Sequence, residues 1–209
     1  MEQPAGRPAP ETPAKPPSGD PLHGRYTSLL PLEQSHSGPL FTHLGGERNS
    51  NLWKYIPEPG NPDRATFDDR IRMYITSDVF HPYAILTGPV SDPASEPAGI
   101  AAYLAIVPEH LRIEIGGIVG VKLQRTRAMT EVFYLLIKHA IEDLGYHRVE
   151  WKAHSENKLS LSAAERLGFL FEGVFRWVLN IQTSGRKLMG FIGTIWLSMG
   201  VLGTRLSLA

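Results

Sequence analysis

Leu123-Gln124-Arg125-Thr126-Arg127-Ala128-Met129-Thr130-Glu131 is the stretch on which the reading of the fold turns. Before it, Leu111-Arg112-Ile113-Glu114-Ile115-Gly116-Gly117-Ile118-Val119 reads as a strand. After it, Met129, Val132, Phe133, Leu136, Ile137, Ala140, Ile141 and Leu144 recur at helical spacing, and Gly145 can end the helix. A strand that enters a helix through a short polar loop makes an anion site. The first-turn amides lack intrahelical partners, and the helix dipole adds partial positive charge. Two arginines and a glutamine in the loop suit a phosphate, so a pyrophosphate-bearing ligand is expected there. The loop is not glycine-rich, so neither a Walker loop nor a dinucleotide fingerprint is present. An exposed loop with two solvated arginines is the alternative the local sequence leaves open.

A second segment weighs toward the ligand. Asn157-Lys158-Leu159-Ser160-Leu161-Ser162-Ala163-Ala164-Glu165-Arg166-Leu167-Gly168-Phe169 follows a strand-like run, Arg148–His154, and precedes Leu170-Phe171-Glu172-Gly173-Val174-Phe175-Arg176. On these residues the chain resembles the GCN5-related N-acetyltransferases (GNAT), in particular the branch that acetylates ribosomal-protein N-termini. Two motifs come in the family's order. Gln124 through Glu131 aligns with its Gln/Arg-x-x-Gly-x-Gly/Ala acetyl-CoA loop. Asn-x-x-Ser, Glu-Arg-Leu-Gly-Phe and Glu-Gly then follow, and this second motif is the more specific. The resemblance covers residues 25–186, with a further piece at 193–199.

The resemblance implies an α/β fold: a central twisted, mostly antiparallel mixed sheet flanked by helices. It implies acetyl-CoA as cosubstrate, no metal, and transfer of the acetyl group to a primary amine of a small molecule or of a protein N-terminus. A catalytically weak acyl-CoA-binding member of the same fold is the alternative. The backbone of Ile118, Val119 and Val121 would pair with the pantetheine arm. Gln124, Arg125, Thr126, Arg127, Ala128 and Met129 would take the pyrophosphate, and Asn157 would be a second contact. Ser160 matches the serine that the ribosomal-protein branch uses near the departing thiol. The chain departs from the family at four places: residues 187–192 replace the polar Asn-Arg-Asp-Thr that follows its Gly-Arg, Arg127 stands for a glycine, Met129 for a small residue, and Ala164 for the tyrosine most members use as general acid. Ser160 or water must then serve as the acid.

The residues themselves add candidates. Glu114 alternates with Ile113 and Ile115, so it faces away from their side of the strand, where a carboxylate can act on an amine directly or through a water. A structural pairing with Arg112 or Lys152 is its other role. Glu150 and Glu172 are weaker candidates, the first in a paired or solvated row, the second fixing a turn. Asn157 can cap a helix near Ser160. Trp53, Tyr55, Tyr103, Trp151 and Phe175 are candidates for the acceptor pocket, and each is also a natural core residue.

Composition bounds the rest. With 209 residues, 42% of them hydrophobic, there is chain enough for one domain with a core. A formal net charge of zero argues against nucleic acid as a partner. The absence of cysteine rules out disulfides and thiolate chemistry. The eight histidines form no ligand-spaced pair. Residues 1–24 are proline-rich, carry no apolar run, and read as a disordered arm rather than a signal peptide.

Residues 25–199 are the expected domain, with strands at 25–32, 83–87 and 98–107 and helices at 33–44 and 66–76, the last capped by Asp63 or Thr66. The strands at 83–87 and 98–107 are close enough to form a hairpin. The strand–helix–strand run at 113–154 implies a parallel crossover. Residues 188–204 are uncharged, at the short limit for a membrane span. Four glycines and three hydroxyl residues favour a final strand at 193–199 with an irregular apolar tail at 200–209 over a tether. The expected protein is therefore cytoplasmic, with an amine substrate as partner, a membrane disfavoured and homodimerisation left open.

Overall fold

The computed structural model describes residues 12–56, 58, 63–175 and 194–200, with Phe175 and the last strand given by backbone alone. The first eleven residues of the arm, most of the Pro57–Pro62 loop, the Phe175 side chain, the departure at 187–192 and the tail at 201–209 lie outside the described residues.

Strands β1 (Leu22–His23), β2 (Ser28–Pro31), β3 (Phe80–Leu86), β4 (Pro97–Val107), β5 (Arg112–Val119), β6 (Arg148–His154), β7 (Leu170–Phe175) and β8 (Thr194–Gly200) form one sheet in the order β1-β2-β3-β4-β5-β6-β8-β7. Every neighbouring pair is antiparallel except β5–β6, which is parallel as the crossover requires. The helices are α1 (Ser37–Leu44), α2 (Arg64–Ile75), α3 (Arg127–Lys138) and α4 (Lys158–Arg166). The final strand does not close the sheet at its edge. It lies between β6 and β7, pairing with β6 from Arg148 to His154.

Alternation along the strands sends side chains to two cores. Ile113, Ile115, Val149, Trp151 and Ala153 meet Val132, Phe133, Leu136 and Ile137 of α3 and Ala164 of α4. On the opposite face Ala84, Ile100 and Ile118 meet Leu40 and Leu44 of α1, Trp53, and Phe67 and Ile71 of α2. Helix α2 begins where its cap predicts, with the Asp63 carboxylate accepting from the Thr66 amide at 3.0 Å. Helix α3 widens into a π turn at His139–Asp143 before Gly145, at φ +84°, ends it.

The strand expected at 83–87 begins earlier, at Phe80, and three further differences have a visible cause. The helix expected from Glu33 starts at Ser37, because Glu33 and His36 close a separate 3-10 turn: the Glu33 amide donates to His36 Nδ1 at 3.1 Å. The strand expected from Arg25 starts at Ser28, because residues 24–27 form a tight turn. The buried Glu131 carboxylate accepts three amides of that turn, from Arg25 at 2.8 Å, Tyr26 at 2.6 Å and Thr27 at 3.0 Å. Glycine is required at 24, since a Cβ there would lie 2.3 Å from Glu131 Oε2. Finally, residues 12–24, assigned by composition to the disordered arm, lie against the domain. Ala14 is buried, its amide donates to Pro108 O at 3.1 Å, that of Lys15 to Leu144 O at 2.8 Å, and β1 joins the sheet. Proline needs no amide partner and has little conformational freedom to lose, so a proline-rich strap can be held by few hydrogen bonds.

Two stability tests follow from this frame. Glu131→Ala removes the acceptor of three amides in a partly buried turn and should lower the unfolding free energy by about 2 kcal/mol in urea denaturation. An unchanged midpoint would mean the turn stands without the carboxylate. Ending the chain at Arg186 removes β8 from inside the sheet and should give an aggregating protein, because it exposes strand edges and apolar surface. Ending it at Gly200 should leave a folded one. A soluble, monodisperse 186-residue form would place β8 outside the folding unit.

Candidate functional site

The pairing of β5 with β6 stops early. Its four pairs run from Arg112↔Arg148 to Ile115↔Trp151, yet β5 continues to Val119 and β6 to His154. Beyond Ile115 and Trp151 the two strands diverge, and the sheet has a gap. A cavity of about 330 Å³ occupies it. It is lined from the α1/α2 face by Glu114, Lys152 and Tyr74, and from the α3/α4 face by Phe133, Trp151 and Ser160. Its floor is Ala101, Ala102, Gly116 and Gly117. Glycine is required at 117, where a Cβ would lie 2.5 Å from Ile100 O, and a side chain at 116 would run into Leu104. A bulge in β4 follows Leu104, the residue opposite Glu114, with Ala105 at φ +42°. Bulges bend a strand and aim its neighbours.

Glu114 is largely buried and is ion-paired with Lys152 Nζ. Burial raises its pKa above the ordinary carboxylate value, and the Lys152 ammonium opposes that rise. The parallel register places Glu150 beside Glu114. Glu150 is 1% exposed and is met by Arg148 Nε at 2.8 Å, Lys152 Nζ at 3.6 Å and Arg112 Nη1 at 3.7 Å. Arg148 also forks onto Glu172, with Nη1 2.7 Å from Oε1. Glu172 lies within β7, not in the turn expected of it, and reaches across to Arg148 of β6. Lys152 is shared between two carboxylates, a link that only the strand pairing creates.

Helix α4 carries the second group of candidates. Asn157 is its N-cap, Oδ1 accepting from the Ser160 amide at 3.2 Å. Ser160 Oγ accepts from Trp151 Nε1 at 3.0 Å. The indole is a donor only, so the serine keeps its own O–H to donate. Ala164 is fully buried in the α3-side core.

The loop after β5 is placed as expected. Arg125 takes a left-handed φ of +61°, and Thr126 caps α3, its hydroxyl accepting from the Met129 amide at 3.2 Å. The Arg127 and Ala128 amides are the first-turn amides without that cap. The Arg127 guanidinium lies 5.9 Å from the Tyr26 ring centre, turned toward the β1–β2 turn. Gln124 Nε2 donates to Val119 O at 3.3 Å. Val121 is exposed, Ala128 is buried, and Met129 packs on the α3-side core.

Glu114, Ile118, Asn157 and Ser160 are therefore brought to one cavity. Val119, Val121 and Gln124 to Met129 lie beyond it, at the end of β5 and the start of α3. Trp53, Tyr55 and Trp151 line the cavity as anticipated. Tyr103 does not. It sits on the α3 face, fully buried, donating its hydroxyl to Leu136 O at 2.7 Å. Sequence reading missed the pair of Tyr74 and Glu58, whose hydroxyl and carboxylate meet at 2.5 Å on the cavity wall. Burial and that carboxylate push the Tyr74 pKa up. Tyr74 read as one more apolar residue of α2, and nothing local signals a partner sixteen residues back. Among the described residues no acidic or histidine group of three is placed to hold a metal, and no helix is long and apolar enough to cross a membrane.

Comparison with known proteins agrees with this geometry. The family model described as an acetyltransferase (GNAT) domain matches residues 28–170. A GCN5-related N-acetyltransferase from Brucella melitensis is 33% identical, covering 90% of this chain and 82% of its own, with a TM-score of 0.80. A probable acetyltransferase (GNAT family) from Chromobacterium violaceum is 28% identical, covering 96% and 95%, also at 0.80. The Salmonella typhimurium enzyme that modifies the N-terminal serine of ribosomal protein L7/L12 shares the fold, at 16% identity, a TM-score of 0.68 and coverage of 87% and 99%. No curated protein sequence matches the chain. A family match over most of the chain, on a sheet opened beside a helix N-terminus, makes this protein a member of the GNAT acetyltransferases.

Proposed function

We propose that the protein is an N-acetyltransferase that uses acetyl-CoA as donor and a primary amine, on a small molecule or a protein N-terminus, as acceptor. The observation that carries this reading is the cavity in the β5–β6 gap. There a buried carboxylate from one face and a serine hydroxyl from the other share one space.

The residues present fit acetyl-CoA. The edge of β5 from Gly116 to Val119 has no strand partner on the gap side, so backbone groups there can serve a pantetheine arm, although Val119 O already accepts from Gln124 Nε2 and Val121 O, beyond the strand, from the Gln124 amide. The amides of Arg125 to Ala128 cluster at the start of α3, where the dipole favours a pyrophosphate. With Met129 capped by Thr126, fewer amides serve this purpose than the sequence suggested. Arg127 replaces the family's glycine without closing the loop, because its side chain is held over Tyr26. The Asn157 side chain spends Oδ1 on the cap and keeps its Nδ2 donors for a ligand. Bound there, acetyl-CoA supplies a thioester whose carbon–sulfur bond is exchanged for a carbon–nitrogen bond, with the CoA thiol leaving.

The chain's own groups do the rest. Glu114, ionised, accepts the acceptor ammonium's proton, directly or through one water, and Lys152 steadies the carboxylate. The Ser160 hydroxyl, free to donate, lines the same cavity and would return a proton to a thiolate leaving there. Apolar walls of Trp53, Phe133 and Trp151 would limit the water around a bound thioester. The fully buried Ala164, where most members have a tyrosine, favours the weaker alternative of an acyl-CoA-binding protein with little turnover.

Calorimetric titration tests cofactor binding. Acetyl-CoA should bind and raise the thermal midpoint by linkage. Asn157→Ala should weaken it about tenfold, the loss of a polar contact and a cap. No shift at millimolar ligand overturns the reading, and lost stability with unchanged affinity would leave Asn157 a cap alone.

The pH–rate profile tests Glu114. Its raised pKa means that activity falls as pH drops through a value above the ordinary carboxylate range, because only the ionised form is a base. Glu114→Gln should reduce kcat about a hundredfold and abolish that acid limb, with acetyl-CoA affinity intact. The variant should fold, since Lys152 retains Glu150 as a partner. A wild-type profile in the variant would make the carboxylate structural and move the weak-turnover alternative forward.

A further inference from the structure

The walls of the cavity divide by chemistry. Charge is gathered at its reacting end, where Glu114 meets Lys152. Beyond that pair the lining includes Trp53, Tyr55, Ile56, Tyr74 and Phe80, with Glu58 and His154 as further ionisable groups, the His154 ring lying 5.0 Å from that of Tyr55. The polar tips of Trp53 and Tyr74 are used within the protein. Trp53 Nε1 donates to Leu44 O at 2.7 Å, and the Tyr74 hydroxyl donates to Glu58. Both therefore turn ring surface to the cavity, and Tyr74 and Phe80 meet edge to face at 5.6 Å. Glu58 is itself met by Arg70 Nε at 3.2 Å, so its charge is already balanced. At about 330 Å³ the cavity is near the small end of ligand sites, and the thioester must share it.

We infer that the acceptor is a small primary amine on an aromatic or branched apolar body, its nitrogen at Glu114 and its body against Tyr55, Tyr74 and Phe80. This rests on the acetyltransferase reading above. Apolar surface buried against those rings is favourable at about 25 cal/mol per Å². The two obvious competitors fare worse there. A peptide N-terminus carries an amide next to its amine, and burying that amide against ring faces leaves it without hydrogen bonds. A polyamine brings a second ammonium, which needs a counter-charge that Glu58, paired with Arg70, does not supply.

The test uses the full chain loaded with CoA and reads equilibrium binding by calorimetry. The ligands are phenethylamine, isoamylamine, spermidine and a Ser-Ala-Ala tripeptide. Thiol release from acetyl-CoA with the same four amines gives kcat/KM. The first two should bind about tenfold or more tighter than the last two and rank first in kcat/KM. Phe80→Ala should weaken phenethylamine about tenfold while CoA affinity is unchanged. Tyr55→Ala, at a half-buried turn position, repeats the test should the first variant not fold. Equal or tighter binding of the tripeptide or spermidine overturns the inference, as does unchanged phenethylamine affinity in the folded wall variants. If the apolar amines bind in this order but no thiol is released, the assignment of the cavity stands and acetyl transfer falls. If the tripeptide or spermidine is acetylated in preference, acetyl transfer stands and the assignment falls.

Discussion

Two neighbouring parallel strands that stop pairing are the constraint on which the rest of this structure depends. A buried sheet normally satisfies every backbone group through the next strand. Here β5 and β6 share four pairs and then separate, leaving several residues of each with a free edge facing the gap. Such a gap is sustained only if both strands are held firmly on their other sides. β5 pairs with β4 from Arg112 to Val119, and β6 pairs with β8 along its whole length. The helices add to the walls, the Phe133 ring of α3 packing on Trp151 of β6 with ring centres 4.4 Å apart. Under the proposed function, these open edges are what a cofactor arm would use.

The charge network beside the gap obeys the same economy of partners. Glu150 is buried almost completely, and a carboxylate in that position is tolerable only with cations and hydrogen bonds around it. Arg148 is committed to Glu150 and Glu172, while Arg112 and Lys152 complete the surround. Glu114 sits at the rim of this cluster and shares only Lys152. Its burial holds back ionisation, and the shared ammonium keeps ionisation within reach. Position in the network thus separates the two neighbours: Glu150 ties β6 to β5, and Glu114 is left facing the cavity.

Much of the frame was legible because it rests on local rules. The caps at Asp63 and Asn157, the strand at Arg148–His154 and the hairpin of β3 with β4 follow from side-chain chemistry and period within a few residues. The errors came where a distant residue overrides the local pattern. The β2 strand is shortened because Glu131, more than a hundred residues away, claims the amides of the turn before it. The proline-rich segment at 12–24 is drawn onto the domain by contacts with Pro108 and Leu144. Tyr103 looked as suited to a pocket as Tyr55, but the pleat turns it to the other face.

The sequence by itself determined the order and type of the elements, the capped helix starts, and the family, because propensity, capping and motif spacing are carried by neighbours along the chain. Only the tertiary structure decided where the sheet opens, that β8 enters between β6 and β7, that Lys152 bridges Glu114 and Glu150, and that Tyr74 and Phe80 wall the same cavity as Ser160. These are pairings between residues far apart in the chain. Register and packing fix them, and no local pattern encodes which strand will lose its neighbour.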